Sequence, residues 1–284
     1  MTLAHSVKKS AKHAGLVLMT GAFCILFAHP QPAAAATPVS SCGAVLSVPG
    51  EYILTNDLNN CPSTAVTITA SDVHFNLDGH TIDGIGNGSG IAVGAVGVTC
   101  VATSNVHINN GTVTQFDDGI QLCRATNAHV NNVTATQNEN GFHLIDSDDN
   151  HLNGNTATDN DDGIDLDSDS NGNLINGNDA SGNSGDGIEL DNSDGNELIG
   201  NRASDNGDDG IDLDDSDHNT VRANKTNDNG DHGIEVNDGA NDNLLQANSS
   251  TGNGTVDMVD FNPACDANTW KANHFNTANQ PCIQ

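Results

Sequence analysis

This chain of 284 residues carries 38 Asp and Glu but only eight Lys and Arg, so its formal net charge at pH 7 is −30. Nucleic acid is thereby excluded as a partner, because phosphate binding requires a basic surface. Strong acidity with 3% aromatic residues is also typical of disordered chains. Isoleucine, leucine and valine nevertheless recur at fixed spacing along most of the chain, which favours a folded protein.

Residues 1–36 have the pattern of a secretory signal sequence. Lysines at 8, 9 and 12 precede an apolar stretch over 14–28, and alanines at 33–36 offer a cleavage site. The apolar stretch is shorter than the roughly 20 residues that a membrane-spanning helix needs. We therefore expect a secreted or periplasmic protein without a transmembrane anchor after signal cleavage.

Beyond the signal sequence we expect one domain over 37–284. Residues 42–70 are predicted to form an irregular first coil, 71–84 a regular coil, and 85–96 a Gly-rich insertion. Residues 263–284 are predicted to cap the C-terminal end, because a solenoid must cover the apolar end of its stack.

A five-residue motif then returns every 22 to 24 residues. It consists of Gly, an apolar residue, a polar residue, a second apolar residue and a residue that is often acidic, as in Gly163-Ile164-Asp165-Leu166-Asp167. The copies begin at Gly97 (a weak copy), Gly119, Gly141, Gly163, Gly187, Gly210 and Gly233. A fixed period in this range indicates a solenoid of stacked units.

Each repeat predicts three short strands and no helix. Apolar and polar residues alternate with a period of two, so Ile164 and Leu166 should point inward while Asp165 and Asp167 point outward. The inward positions of the second strand are Phe75, Ile108, Val130, Leu152, Ile175, Leu198, Val221 and Leu245. Those of the third strand are the mostly small residues Val113, Ala135, Ala157, Ala180, Ala203, Thr226 and Ser250. The predicted fold is therefore all-β, a parallel β-helix (solenoid) with about 22–24 residues per coil.

Asparagine recurs with the same period in two columns. One column contains Asn155, Asn178, Asn201, Asn224 and Asn248, and the other contains Asn138, Asn160, Asn183, Asn206, Asn229 and Asn253. We expect these residues at coil corners, with left-handed backbone and with side-chain amides that hydrogen-bond one another up the stack.

Six cysteines lie beyond the signal sequence, an even number that fits disulfide bonds in an exported protein. Fifteen pairings are possible. We predict Cys42 with Cys61, Cys100 with Cys123, and Cys265 with Cys282. The middle pair lies one repeat apart and so on neighbouring coils, whereas the other two pairs would fasten the ends of the solenoid.

Three segments resemble a known group of proteins. They are Val48-Pro49-Gly50-Glu51-Tyr52, Ala70-Ser71-Asp72-Val73 and Leu77-Asp78-Gly79-His80-Thr81-Ile82. They resemble right-handed parallel β-helix proteins of the pectin-lyase-like superfamily, and the repeats are similar to those of NosD, a periplasmic copper-binding protein. The resemblance covers about residues 48–262 and implies the right-handed fold. It implies no single activity, because the superfamily includes lyases, hydrolases, epimerases, adhesins and metal-handling proteins.

Three successive coils place nine carboxylates on the outward face of the first strand. They are Asp162, Asp165, Asp167, Asp186, Glu189, Asp191, Asp209, Asp212 and Asp214. Like charges on adjacent strands, about 4.8 Å apart, repel one another by roughly 3–4 kcal/mol at an effective dielectric of 20. Bound Ca²⁺ would offset this cost, because Ca²⁺ accepts several carboxylate oxygens at once. The alternative is a solvated acidic surface that keeps the sheet soluble.

The same carboxylates permit catalysis, since their spacing is compatible with glycoside hydrolysis. The candidate catalytic residues are Asp165, Glu189 and Asp212. A lyase or epimerase would also need a base beside a metal or cationic clamp. Arg202 and Lys225 are available for this role, although ion pairs with neighbouring acids are their simpler interpretation.

A second column consists of histidines, each followed by an apolar residue and an asparagine. Its members are His74, His107, His129 and His151. Imidazoles about 4.8 Å apart on adjacent coils can bind Cu or Zn, for which histidine is the usual nitrogen ligand. Plain stacking in a duplicated repeat, without metal, is the alternative.

Two functions remain open. The first is a non-enzymatic exported β-helix that binds extended polysaccharide or cell-envelope glycan, metal ions, or both. The second is a carbohydrate-active enzyme, that is, a polysaccharide hydrolase, lyase or epimerase. The regular columns favour the first, because an active site normally interrupts a repeat with a cluster of unlike residues. No phosphate-binding loop is present, so we expect no organic cofactor.

Overall fold

A computed structural model describes residues 35–96, 99–237 and 239–284 of the protein. Most of the predicted signal sequence therefore lies outside the described residues. The described chain forms stacked coils in which each strand pairs with its equivalent in the next coil. The first of the resulting sheets, which we call the frame sheet, has ten strands and contains the Gly-apolar-polar-apolar motif. Its strands are Ala44–Leu46, Val66–Ile68, Ser89–Val93, Asp118–Cys123, Asn140–Ile145, Asp162–Asp167, Ile188–Asp191, Ile211–Asp214, Ile234–Val236 and Met258–Asp260.

The second sheet has fourteen strands and contains the histidine column. Its main path is Thr37–Val39, Gly50–Leu54, Val73–Asn76, His107–Thr114, His129–Thr136, His151–Asn153, Leu174–Asn176, Glu197–Ile199, Thr220–Arg222, Leu244–Gln246 and Thr269–Lys271. Three further strands of this sheet lie off the main path: Leu58–Cys61, Thr81–Gly84 and Thr156–Thr158.

Three two-stranded pairs and one short helix complete the described structure. The pairs are Ala95–Val96 with Thr99–Cys100, Thr103–Ser104 with Ala125–Thr126, and Ser249–Ser250 with His274–Phe275, and the 3₁₀-helix is Pro263–Cys265. Within the described ranges every pairing is parallel except that of Ala95–Val96 with Thr99–Cys100. The predicted all-β, right-handed parallel β-helix is confirmed.

The predicted alternation of inward and outward residues is also confirmed. Ile164 and Leu166 are fully buried, as are their equivalents Ile188 and Leu190 in the next coil. The apolar column of the second sheet, from Phe75 to Leu245, is likewise buried. Each such side chain contributes about 1.5–3 kcal/mol to stability relative to an exposed one, so the stacked columns form one continuous core.

The glycine of the repeated motif, from Gly119 to Gly233, is required by close packing. A Cβ on Gly187 would lie 2.6 Å from the main-chain oxygen of Gly210 and 2.7 Å from the Cβ of Ala203. The small third-strand residue and the glycine therefore fit against each other, which explains why both recur together.

The asparagine columns form buried ladders, but the backbone prediction for them is wrong. Asn178 accepts the main-chain N–H of Asn155 at 2.9 Å and donates to the carbonyl of Leu152 at 2.9 Å. The ladder asparagines are absent from the described positive-φ residues; the residue before each one adopts that conformation instead, as Gly154 and Gly177 do. A third ladder, not predicted, runs through Asn150, Asn173, Asn196, Asn219, Asn243 and Asn268.

The prediction that the first copy of the motif begins at Gly97 is wrong. Gly97 and Val98 lie outside the described residues, and Thr99–Cys100 pairs antiparallel with Ala95–Val96. The true copy is Ser89–Val93, in which Ile91 pairs with Ile120 and Val93 with Leu122. Part of the predicted Gly-rich insertion at 85–96 is therefore a strand of the frame sheet.

The three predicted disulfides are all present: Cys42–Cys61, Cys100–Cys123 and Cys265–Cys282. Their Cα atoms are 5.5, 5.5 and 6.2 Å apart, within the usual range for a disulfide. Among the described residues, no helix has the length and hydropathy needed to cross a membrane.

Candidate metal centre on the frame sheet

Two outward columns of the frame sheet run side by side, and we call their surface the acidic face. The first column consists of the residues before each glycine: Asp118, Asn140, Asp162, Asp186, Asp209 and His232. The second consists of Gln121, His143, Asp165, Glu189, Asp212 and Glu235, which pair in register strand by strand. The two positions are three residues apart, so strict alternation would place them on opposite faces. The alternation is interrupted at the glycine, which the ladder skips between Asp118 and Ile120, and the contact of Gln121 with Asp118 places both columns on one face. Asp165, Glu189 and Asp212 therefore lie next to one another on consecutive strands.

The third predicted column, Asp167, Asp191 and Asp214, lies at the far end of the same strands. Asp191 and Asp214 are exposed and Asp167 is half-buried. Partial burial, followed by the charges of Asp167 and Asp214, raises the pKa of Asp191. These three residues are not among the described clusters whose ligand atoms converge.

One converging cluster, which we call the oxygen cluster, consists of Asp162, Asp186 and Glu189. One carboxylate oxygen from each lies within 4.8 Å of the others. The main-chain N–H of Asp186 donates to Oδ1 of Asp162 at 2.7 Å, which fixes the first carboxylate. Burial, reinforced by neighbouring carboxylates, raises the pKa of both Asp186 and Glu189 to about 7. In the described part of the chain no Lys, Arg or His nitrogen lies within 4.0 Å of these three carboxylates.

A second cluster, which we call the mixed cluster, consists of Asp209, His232 and Glu235. The Nδ1 atom of His232 lies 2.5 Å from Oε2 of Glu235 and 3.3 Å from Oδ1 of Asp209. Neither contact has hydrogen-bond geometry, so among the described atoms Nδ1 has no hydrogen-bond partner. Burial raises the pKa of Asp209 to about 8, with the charge of Glu235 adding to the effect.

The mixed cluster repeats the oxygen cluster two coils further along. Asp209 stands at the position of Asp162, His232 at that of Asp186, and Glu235 at that of Glu189. The solenoid thus presents the same three-residue arrangement twice, with one carboxylate exchanged for an imidazole.

His143 occupies the acidic face between two carboxylates. Its Nδ1 lies 2.9 Å from Oδ1 of Asp118, and its Nε2 lies 3.3 Å from Oδ2 of Asp165, without hydrogen-bond geometry in the second contact. Burial by itself lowers the pKa of His143, but the hydrogen bond with Asp118 and the surrounding negative charges outweigh it and raise the pKa. Burial raises the pKa of Asp165 to about 7, although the charge of His143 opposes this shift.

A pocket of about 320 Å³ lies on the far side of Asp118 from His143, and Asp118 lines it whereas His143 does not. Ser89, Asp118 and Gln121 are among its lining residues. Gln121 donates to Oδ2 of Asp118 at 2.8 Å, so the same carboxylate faces the pocket and holds His143. The pocket is large enough for a small ligand such as one sugar unit.

The histidine column lies on the second sheet, apart from the acidic face. The ring centroids of His74, His107, His129 and His151 are 4.3, 4.7 and 4.6 Å apart in succession. The rings of His107 and His129 are nearly parallel, with 12° between their planes. Burial, with the charges of neighbouring histidines, lowers the pKa of His107 and of His129.

Asp118, His232 and Glu235 are functional candidates that sequence reasoning did not single out. The predicted site residues are confined to three coils, yet the columns that contain them continue by one or more coils to these residues. Following the columns to their ends would have found Asp118 and His232, because each directly precedes a motif glycine.

Several solved structures share this fold at low sequence identity. A mutant of the periplasmic alginate epimerase AlgG matches with a TM-score of 0.64 and 16% identity, over 84% of this chain and 73% of that chain. The A-module of the Azotobacter vinelandii mannuronan C-5 epimerase AlgE6 matches with a TM-score of 0.60 and 15% identity, over 88% of each chain. The Dettilon tailspike protein matches with a TM-score of 0.67 and 16% identity, over 85% of this chain and 54% of that chain. Identities this low establish a shared fold only.

No curated protein matches the sequence. Residues 78–283, well over half of the chain, match the family described as periplasmic copper-binding protein (NosD), and this protein therefore belongs to the NosD family.

Proposed function

We propose that this protein is an exported, non-enzymatic β-helix whose acidic face binds divalent metal ions and, through them, an extended acidic polysaccharide. One observation carries the proposal: the ligand atoms of Asp209, His232 and Glu235 converge within 4.8 Å around a buried imidazole, and the oxygen cluster repeats that arrangement. The family description, periplasmic copper-binding protein, independently supports a metal-binding role outside the cytoplasm.

Electrostatics supports the same role. Carboxylates on adjacent strands, about 4.8 Å apart, repel by roughly 3–4 kcal/mol at an effective dielectric of 20. Only five basic residues lie beyond residue 36, and Arg202 pairs with Asp179 and Asp205 away from this face. A divalent cation removes the repulsion, and three carboxylate oxygens suit Ca²⁺, which takes six to eight oxygen ligands including water.

The metal role is tested by thermal unfolding with and without millimolar Ca²⁺, after removal of bound ions by a chelator. We expect Ca²⁺ to raise the melting temperature, because a ligand that binds only the folded state stabilises it. The double variant Asp186→Asn/Glu189→Gln should lose most of this rise while becoming more stable without Ca²⁺, since the repulsion is gone. Glu197→Gln, an exposed glutamate on the second sheet, is the matched control. An unchanged melting temperature in the wild-type protein would contradict calcium binding.

The proposed glycan role is supported by the similar solved structures, which include an alginate epimerase and a mannuronan C-5 epimerase. A negatively charged face can bind a negatively charged polymer only through cations that bridge the two. We therefore expect retardation in an alginate-containing native gel with Ca²⁺, none with EGTA, and none in uncharged dextran. Equal mobility in all three gels would contradict glycan binding and leave metal binding standing.

The position of His143 favours a carbohydrate-active enzyme as a second candidate. A half-buried imidazole between Asp118 and Asp165, of which Asp118 lines a pocket of about 320 Å³, can carry a proton to or from a bound sugar. Incubation with alginate and pectate in Ca²⁺ would show new reducing ends, unsaturated products or epimerised units. Activity should fall about a hundredfold or more in His143→Ala if this histidine transfers the proton. Activity retained in Asp165→Asn and Asp212→Asn would remove those residues from the catalytic candidates.

A further inference from the structure

We propose that Asp209, His232 and Glu235 form a transition-metal site for Cu²⁺ or Zn²⁺, different in ion class from the oxygen cluster two coils earlier. The inference rests on the proposed metal-binding function of the acidic face and assigns each cluster its own kind of ion.

The side chain of His232 is the first reason. The residue is only 7% exposed, and its Nδ1 points at two carboxylates without a hydrogen-bond partner among the described atoms. A buried nitrogen left without a partner costs about 1–3 kcal/mol. A metal ion held between Nδ1 and the carboxylates of Asp209 and Glu235 removes that cost.

The surroundings hold this imidazole in place. The main-chain N–H of His232 donates to Oδ1 of Asp209 at 2.5 Å, which ties the histidine to the coil before it. The ring of Phe261 stands edge-on to the imidazole, with 6.3 Å between ring centroids. Nε2 lies 3.6 Å from Oδ1 of Asp231, which is beyond hydrogen-bond distance, so this carboxylate favours a proton on Nε2 through its charge alone.

Donor chemistry separates the two clusters. Imidazole nitrogen suits Cu and Zn, whereas carboxylate oxygen alone suits Ca, Mg and Mn. The mixed cluster has one nitrogen donor and two carboxylates, while the oxygen cluster has three carboxylates. Affinity at the mixed cluster should follow the order Mn²⁺ below Zn²⁺ below Cu²⁺.

The repeat supplies the matched variants. His232→Asp turns the mixed cluster into a copy of the oxygen cluster, and Asp186→His makes the reverse exchange. Each substitution introduces a residue that the fold already accommodates at the equivalent position, so both variants should fold. Melting temperatures in chelator check this expectation directly.

The experiment is Cu²⁺ titration by calorimetry, with electron paramagnetic resonance of the loaded protein, on chains without a histidine tag. All chains carry His107→Ala and His129→Ala, so that the histidine column does not contribute. We expect one Cu²⁺ with nitrogen hyperfine structure, an affinity lower by about tenfold or more in His232→Asp, and a second nitrogen-coordinated Cu²⁺ in Asp186→His.

Equal Cu²⁺ affinity and an equal nitrogen signal with and without His232 would overturn the site. Calcium stabilisation, measured on the same chains, distinguishes the two proposals. If Cu²⁺ binding does not depend on His232 but Ca²⁺ still stabilises the protein, only the mixed cluster is rejected as a transition-metal site. If Cu²⁺ binding does not depend on His232 and Ca²⁺ does not raise the melting temperature, metal binding by the acidic face is rejected altogether.

Discussion

The main-chain N–H of Asn155 donates to Oδ1 of Asn178 across one coil, at 2.9 Å. The Nδ2 of Asn178 in turn donates to the carbonyl of Leu152 at 2.9 Å and to Oδ1 of Asn201 at 3.1 Å. These groups are buried, so their only alternative to the ladder is an unsatisfied state. The asparagine ladder therefore satisfies the buried polar groups at the coil corner, as strand pairing does in the sheets.

We expect Asn178→Ala to lower the free energy of unfolding by about 3–5 kcal/mol, because it leaves several buried polar groups without partners. Urea denaturation followed by circular dichroism measures the change. Asn176→Ala is the control, since Asn176 is exposed and its amide lies 3.5 Å from Oδ1 of Asn153. The control should change stability by less than about 0.5 kcal/mol. Equal effects of the two substitutions would contradict the ladder's role.

Two glycine-to-alanine substitutions separate packing from backbone conformation. Gly187→Ala should cost about 1–3 kcal/mol or more, because the new Cβ meets the oxygen of Gly210 and the Cβ of Ala203. Gly177→Ala should cost only about 1 kcal/mol, since its surroundings are open and only its φ of +63° is unfavourable. The equivalent position in a later coil is Ala223, which adopts the same conformation. Denaturation midpoints that rank the two variants in the opposite order would contradict this explanation.

The fold could be predicted because a parallel β-helix converts sequence period directly into vertical neighbours. The error at the N-terminal end has a specific cause. Ile91 pairs with Ile120, 29 residues later, whereas the regular spacing is 22 to 24. The extra residues form the antiparallel pair Ala95–Val96 and Thr99–Cys100, and they shift the copy out of the period.

The candidate site could be predicted only in part. Sequence columns identify which carboxylates face outward, and Asp165, Glu189 and Asp212 do lie on adjacent strands. The sequence columns do not show which outward side chains bring their ligand atoms together. Each cluster combines a residue before the glycine with one three positions later, as in His232 and Glu235. Whether their ligand atoms meet depends on burial and on side-chain conformation, which the sequence does not give. His232 also departs from the repeat, because it is the one histidine among the residues that precede the motif glycines from Gly119 to Gly233.

Stability should fall as pH rises, provided that a chelator keeps cations away. Burial raises the pKa of Asp186 to about 7 and that of Asp212 to about 9, far above their values in an unfolded chain. A carboxyl with a raised pKa stabilises the fold while it is protonated, and this contribution is lost as pH rises through the folded-state pKa. His107 and His129 act in the opposite direction, but only below about pH 6.5. Melting temperatures should therefore decrease between about pH 6.5 and 9.

Asp212→Asn isolates one contribution to this slope. The amide keeps an oxygen for the hydrogen bond that Asn237 donates to Oδ1 of Asp212 at 3.0 Å, and it carries no charge. We expect only a small gain near pH 4 and a gain several times larger near pH 8, because the carboxyl loses its proton from about pH 4 upward in the unfolded chain but only near pH 9 in the folded one. Asp78→Asn, an exposed carboxylate on another coil, should leave the profile unchanged. A gain of equal size at both pH values would show that burial of the charge is not the cause.

The histidine column remains a predicted Cu or Zn site, and its geometry sets a condition for binding. The lowered pKa of His107 and of His129 keeps both imidazoles neutral at pH 7, the form that binds metal. A metal lies in the plane of each imidazole that binds it, whereas these two rings are stacked with 12° between their planes. A shared ion therefore requires one ring to turn about its side-chain bonds, which the half-buried position of both residues permits.

Zn²⁺ titration in a His232→Asp background removes the imidazole of the mixed cluster. The carboxylates that remain on the acidic face are common to parent and variant, so a difference between the two reports on the histidine column. We expect saturable binding that disappears in His107→Ala/His129→Ala and persists in His218→Ala, an exposed histidine outside the column. Binding should also weaken by about tenfold per coordinating histidine for each unit of pH below the histidine pKa, because protons compete with the metal for each nitrogen. Equal Zn²⁺ binding in the double variant and its parent would leave the column as a stack of rings without metal, held by the register of the four strands and by contacts such as that of His107 with Asn105.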